Sequence, residues 1–313
     1  MALFSVVVPV YKNYDSLPDV VQALEWLAEN VEADVEAVFV VDGSPDDSAA
    51  RLRELLPRAS FSSQLLCHSR NFGAFAAIRT GFLAARGDVV AAMAADLQEP
   101  VALMRDFYEQ LSTGDYDVAV GTRASRADPG LSQAFSTVYW RLYRRSVQPQ
   151  MPPGGVDVFA CTAQVARQFE HLTEANSSLV GLLYWLGYRR VEVPYHRVAR
   201  QHGTSAWSFR KKVAYLMDSV FSFTSRPISL ILFVGGLGTV ASVVTAFVVF
   251  VAWLTNSITV QGYTAMMLVL LFSTAAILFA LGIVGTYVWR AYENTKGRPQ
   301  AVVRLSEGFG REP

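Results

Sequence analysis

The amino-acid sequence predicts an α/β protein with a doubly wound, mostly parallel sheet, followed by a pair of membrane-spanning helices. Short apolar runs alternate with stretches of helical periodicity over the first 121 residues, a pattern typical of a parallel sheet covered by helices on both faces. Each apolar run ends in a polar loop, so the sequence favours a site along one edge of that sheet. Residues 227–289 contain no Asp, Glu, Lys or Arg in 63 positions, which favours membrane spans.

The first five strands are predicted where apolar and β-branched residues cluster between turn-forming residues. Their predicted ranges are Phe4–Val10, Val35–Val41, Leu65–His68, Val89–Met93 and Asp117–Gly121. Helical periodicity fills the intervals at Leu17–Leu27, before Leu56, at Ala74–Ala85 and at Val101–Leu111. Asp46 or Asp47 can cap the second of these helices, because a carboxylate accepts hydrogen bonds from the free N–H groups of a first turn.

After Gly121 the alternation is less regular. The predicted elements, in chain order, are a polar loop at Thr122–Pro129, a helix at Leu131–Arg145, a loop at Pro149–Gly155, a strand at Val156–Cys161 that contains Asp157, a helix at Leu179–Leu186, a strand at Arg190–Tyr195 and a basic loop at His196–Trp207. This last loop leads towards the uncharged part of the chain.

Two uncharged stretches, Ile228–Leu254 and Tyr263–Trp289, each exceed the about 20 apolar residues that a bilayer requires. Basic residues lie only outside the pair, at Arg210, Lys211, Lys212, Arg226, Arg290, Lys296 and Arg298. The positive-inside rule therefore predicts that both ends are cytoplasmic and that the link Thr255–Gly262 faces the other side. Ser208–Thr224 mixes basic and apolar residues, as helices on a membrane surface do.

The sequence thus predicts four parts. They are a cytoplasmic domain over residues 1–207, a juxtamembrane amphipathic helix over 208–226, two membrane helices within 227–289 and a cytoplasmic tail over 290–313. Gly235, Gly236 and Gly238 would let the two helices, or neighbouring subunits, approach closely, which leaves a homo-oligomer open.

Composition excludes some classes of function. The 27 basic residues balance 27 acidic ones, which argues against a nucleic-acid binder that depends on bulk electrostatics. Cys67 and Cys161 stand in apolar contexts without metal-type spacing, so we expect buried free thiols in a reducing compartment. The N-terminus, MALFSVVVPVYKN, lacks a basic region and is predicted to be a strand, not a signal peptide.

The stretch Gly87–Pro100, GDVVAAMAADLQEP, carries the most informative acid. Asp96 follows a buried strand and Gln98 comes two residues later, so their oxygens could hold a hard cation on a phosphate. The alternative is that Asp96 only caps the helix that begins near Pro100. A cytoplasmic domain tied to a membrane hairpin suggests one soluble, phosphorylated substrate and one lipid.

Six segments follow one another in order between Ser5 and about Phe223: VVVPVYKN, VDGSPDDS, SRNFGAFAAIRTGF, ADLQEP, GTRASR and RVARQHGTSAW. Together they resemble the family 2 glycosyltransferases of GT-A fold, specifically the polyprenyl-phosphate glycosyltransferases related to dolichyl-phosphate mannose synthase. The membrane hairpin fits the bacterial two-helix branch. The resemblance implies inverting, metal-dependent transfer of a sugar from a nucleotide-sugar to a polyprenyl phosphate of the undecaprenyl type. The expected place is the cytoplasmic face of the inner membrane, in cell-envelope glycan synthesis or modification.

The resemblance also implies roles for individual residues. The donor would be held by Pro9, Tyr11, Asp42, Arg70 and Asn71, and Mg²⁺ or Mn²⁺ by Asp96 and Gln98. The acceptor phosphate would dock on Arg123, Arg126, Arg197, Arg200 and Ser205, with Asp157 as base or orienting group and Arg123, Arg126 and Arg200 as its catalytic partners.

Several of these residues also have a purely structural interpretation. Pro9 could simply end a strand, Asp42 could serve only its turn, and Arg70 with Asn71 could be surface groups. Asp157 could be a buried structural carboxylate, and one or two of the four acceptor arginines could be merely solvated.

The sequence departs from the family pattern at three positions. Ala94 stands where the D-x-D metal motif has its first Asp, Val41 replaces the first acid of D-D-G-S, and Ala206 replaces a frequent Lys. The loss at Ala94 raises a second hypothesis, a membrane-anchored nucleotide-sugar binding module without catalysis. A processive polysaccharide synthase is disfavoured, because Q-x-x-R-W is missing and two spans are too few for a translocation channel.

Overall fold

The structure, a computed structural model, describes residues 2–124, 144, 148–152, 155–174, 178–198, 224, 226–255 and 262–310. Eight strands are described: β1 Leu3–Val10, β2 Asp34–Val41, β3 Ser62–His68, β4 Val89–Ala92, β5 Val118–Arg123, β6 Phe159–Thr162, β7 Arg190–Tyr195 and β8 Val303–Phe309. The described helices are α1 Leu17–Asn30, α2 Ser48–Leu55, α3 Ala74–Ala84, α4 Ala102–Ser112, α5 Ala163–Gln168, α6 Leu179–Trp185, α7 Arg226–Leu254 and α8 Tyr263–Thr295.

All eight strands join one sheet in the order β7-β5-β6-β4-β1-β2-β3-β8. The neighbours β4-β1-β2-β3 and the pair β5-β7 are parallel, whereas β6 and β8 run antiparallel to their partners. The carboxyl ends of six strands therefore meet at one edge, as the alternation of apolar runs predicted. The expectation of a mostly parallel α/β sheet is confirmed.

Alternate residues of β1 face two separate apolar cores. Phe4, Val6 and Val8 pack into a core with α1, α2 and α4. Val7 packs into a second core with α3, α5 and α6. A Cβ on Gly81 of α3 would lie 2.2 Å from Cγ1 of Val7, so this close helix–sheet contact requires glycine. Helices on both faces confirm the doubly wound arrangement.

Two predicted positions were wrong around the site. β5 extends to Arg123, so this residue ends a strand and does not lie in the predicted polar loop. Asp157 precedes β6 by two residues and is not inside a strand. Its carboxylate instead contacts side chains from β5 and β7 at the sheet edge. The predicted helix Leu131–Arg145 and most of Ser208–Thr224 lie outside the described residues.

The C-terminal part contains two long helices and a strand that the sequence analysis missed. Helices α7 and α8 pack against each other, and α8 continues past the predicted Trp289 to Thr295. Within the described residues, one stretch, Phe272–Thr295, is long and apolar enough to cross a membrane, with a hydropathy of 1.7 and none of it buried. The predicted pair of spans therefore stays a prediction.

Residues 290–313 are not simply the tail that was predicted. Strand β8 pairs antiparallel with β3, and its Leu305 and Phe309 pack on the first core. Arg53 of α2 donates two hydrogen bonds to the carboxylate of Glu307, at 2.8 and 3.1 Å. The chain thus returns to the N-terminal sheet after its long apolar helices.

Candidate active site

The loops that follow β1 and β2 are hydrogen-bonded to each other. The backbone N–H of Lys12 donates to Ser44 Oγ at 2.8 Å, and that of Tyr14 donates to Asp46 Oδ2 at 3.3 Å. Asp46 Oδ1 also accepts from the hydroxyls of Ser44 and Ser48 at 2.5 and 2.7 Å. Burial raises the pKa of Asp46, but the serine hydrogen bonds outweigh burial and lower it below its ordinary value.

Asp42 directly follows the neighbouring β2 and organises the loop after β3. One carboxylate oxygen lies 2.8 Å from Nδ1 of His68 and accepts from the N–H of Phe72 at 2.8 Å, while the other accepts from the N–H of Gly73 at 2.7 Å. Burial raises the pKa of Asp42, yet the bonds from His68 and the two amides leave it lowered. Both oxygens are therefore bonded to protein groups.

The five predicted donor residues lie around these loops. Pro9 is the last but one residue of β1, Tyr11 is partly exposed, and Arg70 and Asn71 are exposed after β3. Gly43 has a φ of +57°, and a Cβ there would lie 2.2 Å from the carbonyl carbon of Arg70. The guanidinium of Arg70 sits 4.0 Å from the ring centroid of Phe72. The fold thus brings Pro9, Tyr11, Asp42, Arg70 and Asn71 to one end of three adjacent strands.

The turn after β4 carries Asp96. Leu97 has a φ of +51°, and the N–H of Gln98 donates to Asp96 Oδ1 at 3.3 Å, which holds the turn closed. Ser16, at the start of α1, anchors it by donating to the carbonyl of Ala95 at 2.8 Å. Helix α4 begins at Ala102, and its capping residue Val101 makes no side-chain cap bond. Asp96 therefore lies five residues before the N-cap position of α4, which Val101 occupies.

The segment after β7 is fastened to the same turn. A guanidinium nitrogen of Arg197 donates to Gln98 Oε1 at 2.6 Å, and its Nε lies 3.9 Å from the carboxylate of Glu99. The N–H of Val198 donates to the backbone carbonyl of Gln98 at 2.9 Å. Arg197, an expected acceptor residue, is thus placed beside the expected metal ligands.

Glu99 is a residue to which the sequence analysis gave no role. Its side chain is buried, with 4% of the residue exposed. Burial, together with the negative charges of Asp96 and Asp157, raises the pKa of Glu99 to about 7, against the opposing effect of Arg197. Its position in ADLQEP was visible in the sequence, but its burial depends on β7 and on the chain before β6.

Asp157 joins two residues from neighbouring strands. Its Oδ2 accepts from Nε of Arg123 at 2.5 Å and from the hydroxyl of Tyr195 at 3.1 Å. Burial lowers the pKa of Arg123, but the hydrogen bond and charge of Asp157, together with Tyr195, outweigh burial and leave that pKa raised. Burial and Asp157 raise the pKa of Tyr195. Tyr195 was missed, because a tyrosine at a strand end carries no signal by itself.

The predicted residues Arg126, Arg200 and Ser205 lie outside the described residues. Those that the structure describes fall at one sheet edge, with Asp96, Gln98, Arg123, Asp157 and Arg197 on the side of β4 to β7. This part of the edge brings carboxylate and amide oxygens into direct contact with guanidinium groups.

Asp96 and Gln98 fit a hard divalent cation that also binds substrate phosphates. Magnesium usually takes one or two protein carboxylates and completes its shell with phosphates and water. Among the described residues no three His, Cys, Asp or Glu side chains form a metal-binding group, so the ligands named here are one carboxylate and one amide. Gln98 Oε1 also accepts from Arg197, which would share or yield that oxygen.

A doubly wound sheet of this kind, with polar loops at the carboxyl ends of its strands, is compatible with the GT-A-like class of nucleotide-sugar-dependent glycosyltransferases, and the family comparison identifies that class. Residues 5–172 match the model of glycosyl transferase family 2, and the chain belongs to that family. The protein is therefore a family 2 glycosyltransferase, which transfers a sugar from a nucleotide-sugar donor.

Relatives are similar over nearly the whole chain. CsbB of Bacillus subtilis (strain 168), which bears a glycosyltransferase name, is 32% identical over 302 residues, covering 96% of this chain and 91% of the relative. The uncharacterized glycosyltransferase sll0501 of Synechocystis sp. is 28% identical over 300 residues, covering 96% and 94%. The chain is also similar to the solved glucosyl-3-phosphoglycerate synthase from Mycobacterium tuberculosis in complex with Mn²⁺ and uridine-diphosphate-glucose. That likeness has 14% identity, 71% and 77% coverage and a TM-score of 0.47, too distant to bear on ligands.

Proposed function

We propose that this glycosyltransferase uses a polyprenyl phosphate of the undecaprenyl type as its acceptor, at the cytoplasmic face of the inner membrane. The observation that carries the proposal is the return of the chain to the sheet after its exposed apolar helix. The N–H of Ser69, next to the Arg70 loop, donates to the carbonyl of Val302 at 2.9 Å. Only residues 296–302 separate Thr295 from β8, and eight residue steps span at most about 28 Å. The short link therefore keeps the sheet edge that carries the candidate site close to the end of the apolar helix α8.

The cationic groups at this edge suit a lipid phosphate. Arg123 and Arg197 come from the ends of neighbouring elements, and guanidinium groups bind phosphate through paired, charge-assisted hydrogen bonds. A phosphate monoester with a second pKa of about 6 is largely ionised near neutral pH, so its attack does not require a strong base. Asp157, bonded to Arg123 and Tyr195, then serves to orient Arg123. The predicted Arg126, Arg200 and Ser205 belong to the same proposed subsite.

Asp96 and Gln98 are the residues that would hold Mg²⁺ or Mn²⁺ on the donor. A bound divalent cation would offset the charge that develops on the departing nucleoside diphosphate. Pro9, Tyr11 and Arg70 are proposed to bind the nucleotide part directly. Asp42 would act there through the Phe72–Gly73 backbone that it holds.

The proposed topology has two spans and both ends in the cytoplasm. Strand β8 shares a sheet with β1 to β7, which supports the proposal that the segments before α7 and after α8 lie on one side of the membrane and that the number of crossings is even. The basic residues outside the two apolar stretches support the cytoplasmic side. Reporter fusions should place the C-terminus inside and the 255–262 link outside; a C-terminus outside would contradict the topology.

The decisive experiment is an assay for a labelled lipid product. Membranes containing the protein are incubated with undecaprenyl phosphate and a panel of radiolabelled nucleotide-sugars, with Asp96→Asn membranes as the matched control. We expect one sugar to enter the lipid fraction in wild type alone. Ala94, at the first position of the metal motif, favours one competing candidate, the binding module without catalysis. Donor binding without transfer to any lipid would support that candidate and refute the proposal.

A further inference from the structure

The turn after β4 and the segment after β7 are joined by several contacts, among them a long hydrogen bond from Nε2 of Gln98 to the carbonyl of Val198 at 3.5 Å. Gln98 receives a hydrogen bond from the Arg197 side chain at 2.6 Å and one from the Val198 backbone at 2.9 Å. Glu99 adds its carboxylate, 3.9 Å from Nε of Arg197. These partners are about 100 residues apart in the chain, so the junction is a product of the tertiary structure alone.

Glu99 is the buried member of this junction. Its side chain is 5% exposed, whereas that of Arg197 is 33% exposed. Four described residues interact electrostatically with the Glu99 carboxylate: Asp96, Asp157, Tyr195 and Arg197. Among these four, Arg197 is the cation. A buried carboxylate among other acids is unfavourable unless a cation compensates it, and Arg197 is placed to do so.

We infer that Glu99 is a positioning residue that holds Arg197, and with it the start of the basic loop 196–207, against the turn that carries Asp96 and Gln98. Gln98 binds one terminal nitrogen of the guanidinium, and Glu99 provides the opposite charge near Nε. A long arginine side chain loses much rotamer freedom when it binds a ligand, and pre-positioning removes part of that loss.

The consequence for catalysis rests on the proposed function. If Arg197 receives the acceptor phosphate, the turn that holds the donor-side ligands also sets the position of an acceptor-side cation. Glu99 itself then touches neither substrate and acts through Arg197. Its loss should weaken use of the lipid and leave binding of the nucleotide unchanged.

The positioning itself is tested without any substrate. Hydrogen–deuterium exchange of the Val198 amide is measured on the full-length protein in detergent, for wild type, Glu99→Gln and Arg197→Gln. Glu109→Gln, an exposed acid of α4 paired with Arg105, is the matched control. We expect exchange about tenfold faster in both test variants, the loss of about 1.4 kcal/mol of local stability. The double variant should exchange no faster than either single one, because the two residues act through each other.

Two results would overturn the inference. One is exchange in Glu99→Gln equal to that of Glu109→Gln, and the other is additive effects in the double variant. The glutamine keeps the volume of the acid; if it nevertheless prevents folding, Arg197→Gln decides by its own effect on the Val198 amide. An unchanged amide in that variant would refute the junction.

The kinetic readout separates this inference from the proposed function. With undecaprenyl phosphate and the sugar donor found active, Glu99→Gln should raise the KM for the lipid about tenfold and leave the Kd for nucleotide unchanged. An unchanged KM despite faster amide exchange would refute the acceptor role of the junction. If wild type transfers nothing to lipid, the proposed function fails, while the exchange data still decide whether Glu99 positions Arg197.

Discussion

The two halves of the sheet edge use carboxylates in opposite ways. In the donor half, formed by the loops after β1, β2 and β3, Asp42 and Asp46 accept several hydrogen bonds each and have lowered pKa values. In the proposed acceptor half, formed by the segments next to β5, β6 and β7 and by Glu99 of the β4 turn, Glu99 faces other acids and its pKa is raised to about 7. The carboxylates of the donor half thus stabilise loops as anions, whereas the anionic form of Glu99 is destabilised by burial and by neighbouring acids.

The difference indicates in which half of the edge charged side chains are available to bind ligands. Backbone amides and hydroxyl groups donate hydrogen bonds to the carboxylates of Asp42 and Asp46, so these acids order the loops around them. In the acceptor half, acids and arginines from four chain segments converge, and among the described residues Arg123 and Arg197 are the cations that relieve the repulsion among the acids. Such an unbalanced arrangement is typical of functional sites.

The largest effect is expected from Asp96→Asn. The change removes the charged ligand of the proposed cation and should lower turnover about 100- to 1,000-fold, as the loss of a transition-state charge partner does. Thermal unfolding should stay as in wild type, because Asp96 lies in a turn at the sheet edge. Asp106→Asn, on exposed α4, is the control. Activity that survives both this change and exhaustive chelation would remove the metal from the mechanism.

Asp42→Asn should break the scaffold of the donor half. An asparagine brings an amide N–H₂ to a position where three donors converge, so we expect a loss of about 3 kcal/mol in the free energy of unfolding. The folded-state pKa of Asp42 is lowered from 3.8, so its contribution is present above pH 3.8 and is lost as the pH falls through the folded-state value.

The measurement for this prediction is denaturant unfolding of wild type and Asp42→Asn between pH 7 and pH 3. The gap between the two should shrink at the acid end. Asp47→Asn is the control, since Asp47 makes no side-chain cap bond at α2. A constant gap over this pH range would mean that the charge of Asp42 does not stabilise the loop.

Arg123→Ala should impair transfer to the lipid acceptor without impairing binding of the nucleotide-sugar donor. The loss of a charge-assisted contact of about 1.5–3 kcal/mol predicts transfer to lipid reduced roughly 10- to 100-fold, with donor binding retained. Arg123→Lys should restore only part of it, because lysine cannot make the bidentate contact. We expect the same of Arg200→Ala, and Arg105→Ala on α4 serves as the surface control. Full turnover in both alanine variants would show that the acceptor subsite is misplaced.

Ala94→Asp should have the smallest effect and a favourable one. If Ala94 occupies the missing ligand position, an added carboxylate should lower the Mn²⁺ concentration for half-maximal turnover by about tenfold or less, the worth of one exposed charged ligand. A titration of Mn²⁺ against transfer rate measures this. No change, or a higher requirement, would place Ala94 outside the cation shell.

The sequence predicted the first sheet strands, the polar edge and most of the residues found there. It could do so because apolar runs and turn residues are local signals, and because parallel strands necessarily bring their carboxyl ends to one edge. Pro9, Asp42, Asp96 and Arg123 follow from that rule, each at or just beyond the end of a strand.

Other features depended on contacts between distant parts of the chain, and only the tertiary structure decided them. Strand β8 pairs with β3 across more than 230 residues, and its short alternating run carries no signal of its partner. The burial of Glu99 and the role of Tyr195 likewise depend on β5, β7 and the chain before β6 meeting beside the β4 turn. By itself the sequence determined most of the strands and loops before Gly121, because apolar runs and turn residues are local signals. Packing between distant segments determined the pairing of β8, the burial of Glu99 and which charged groups lie next to one another.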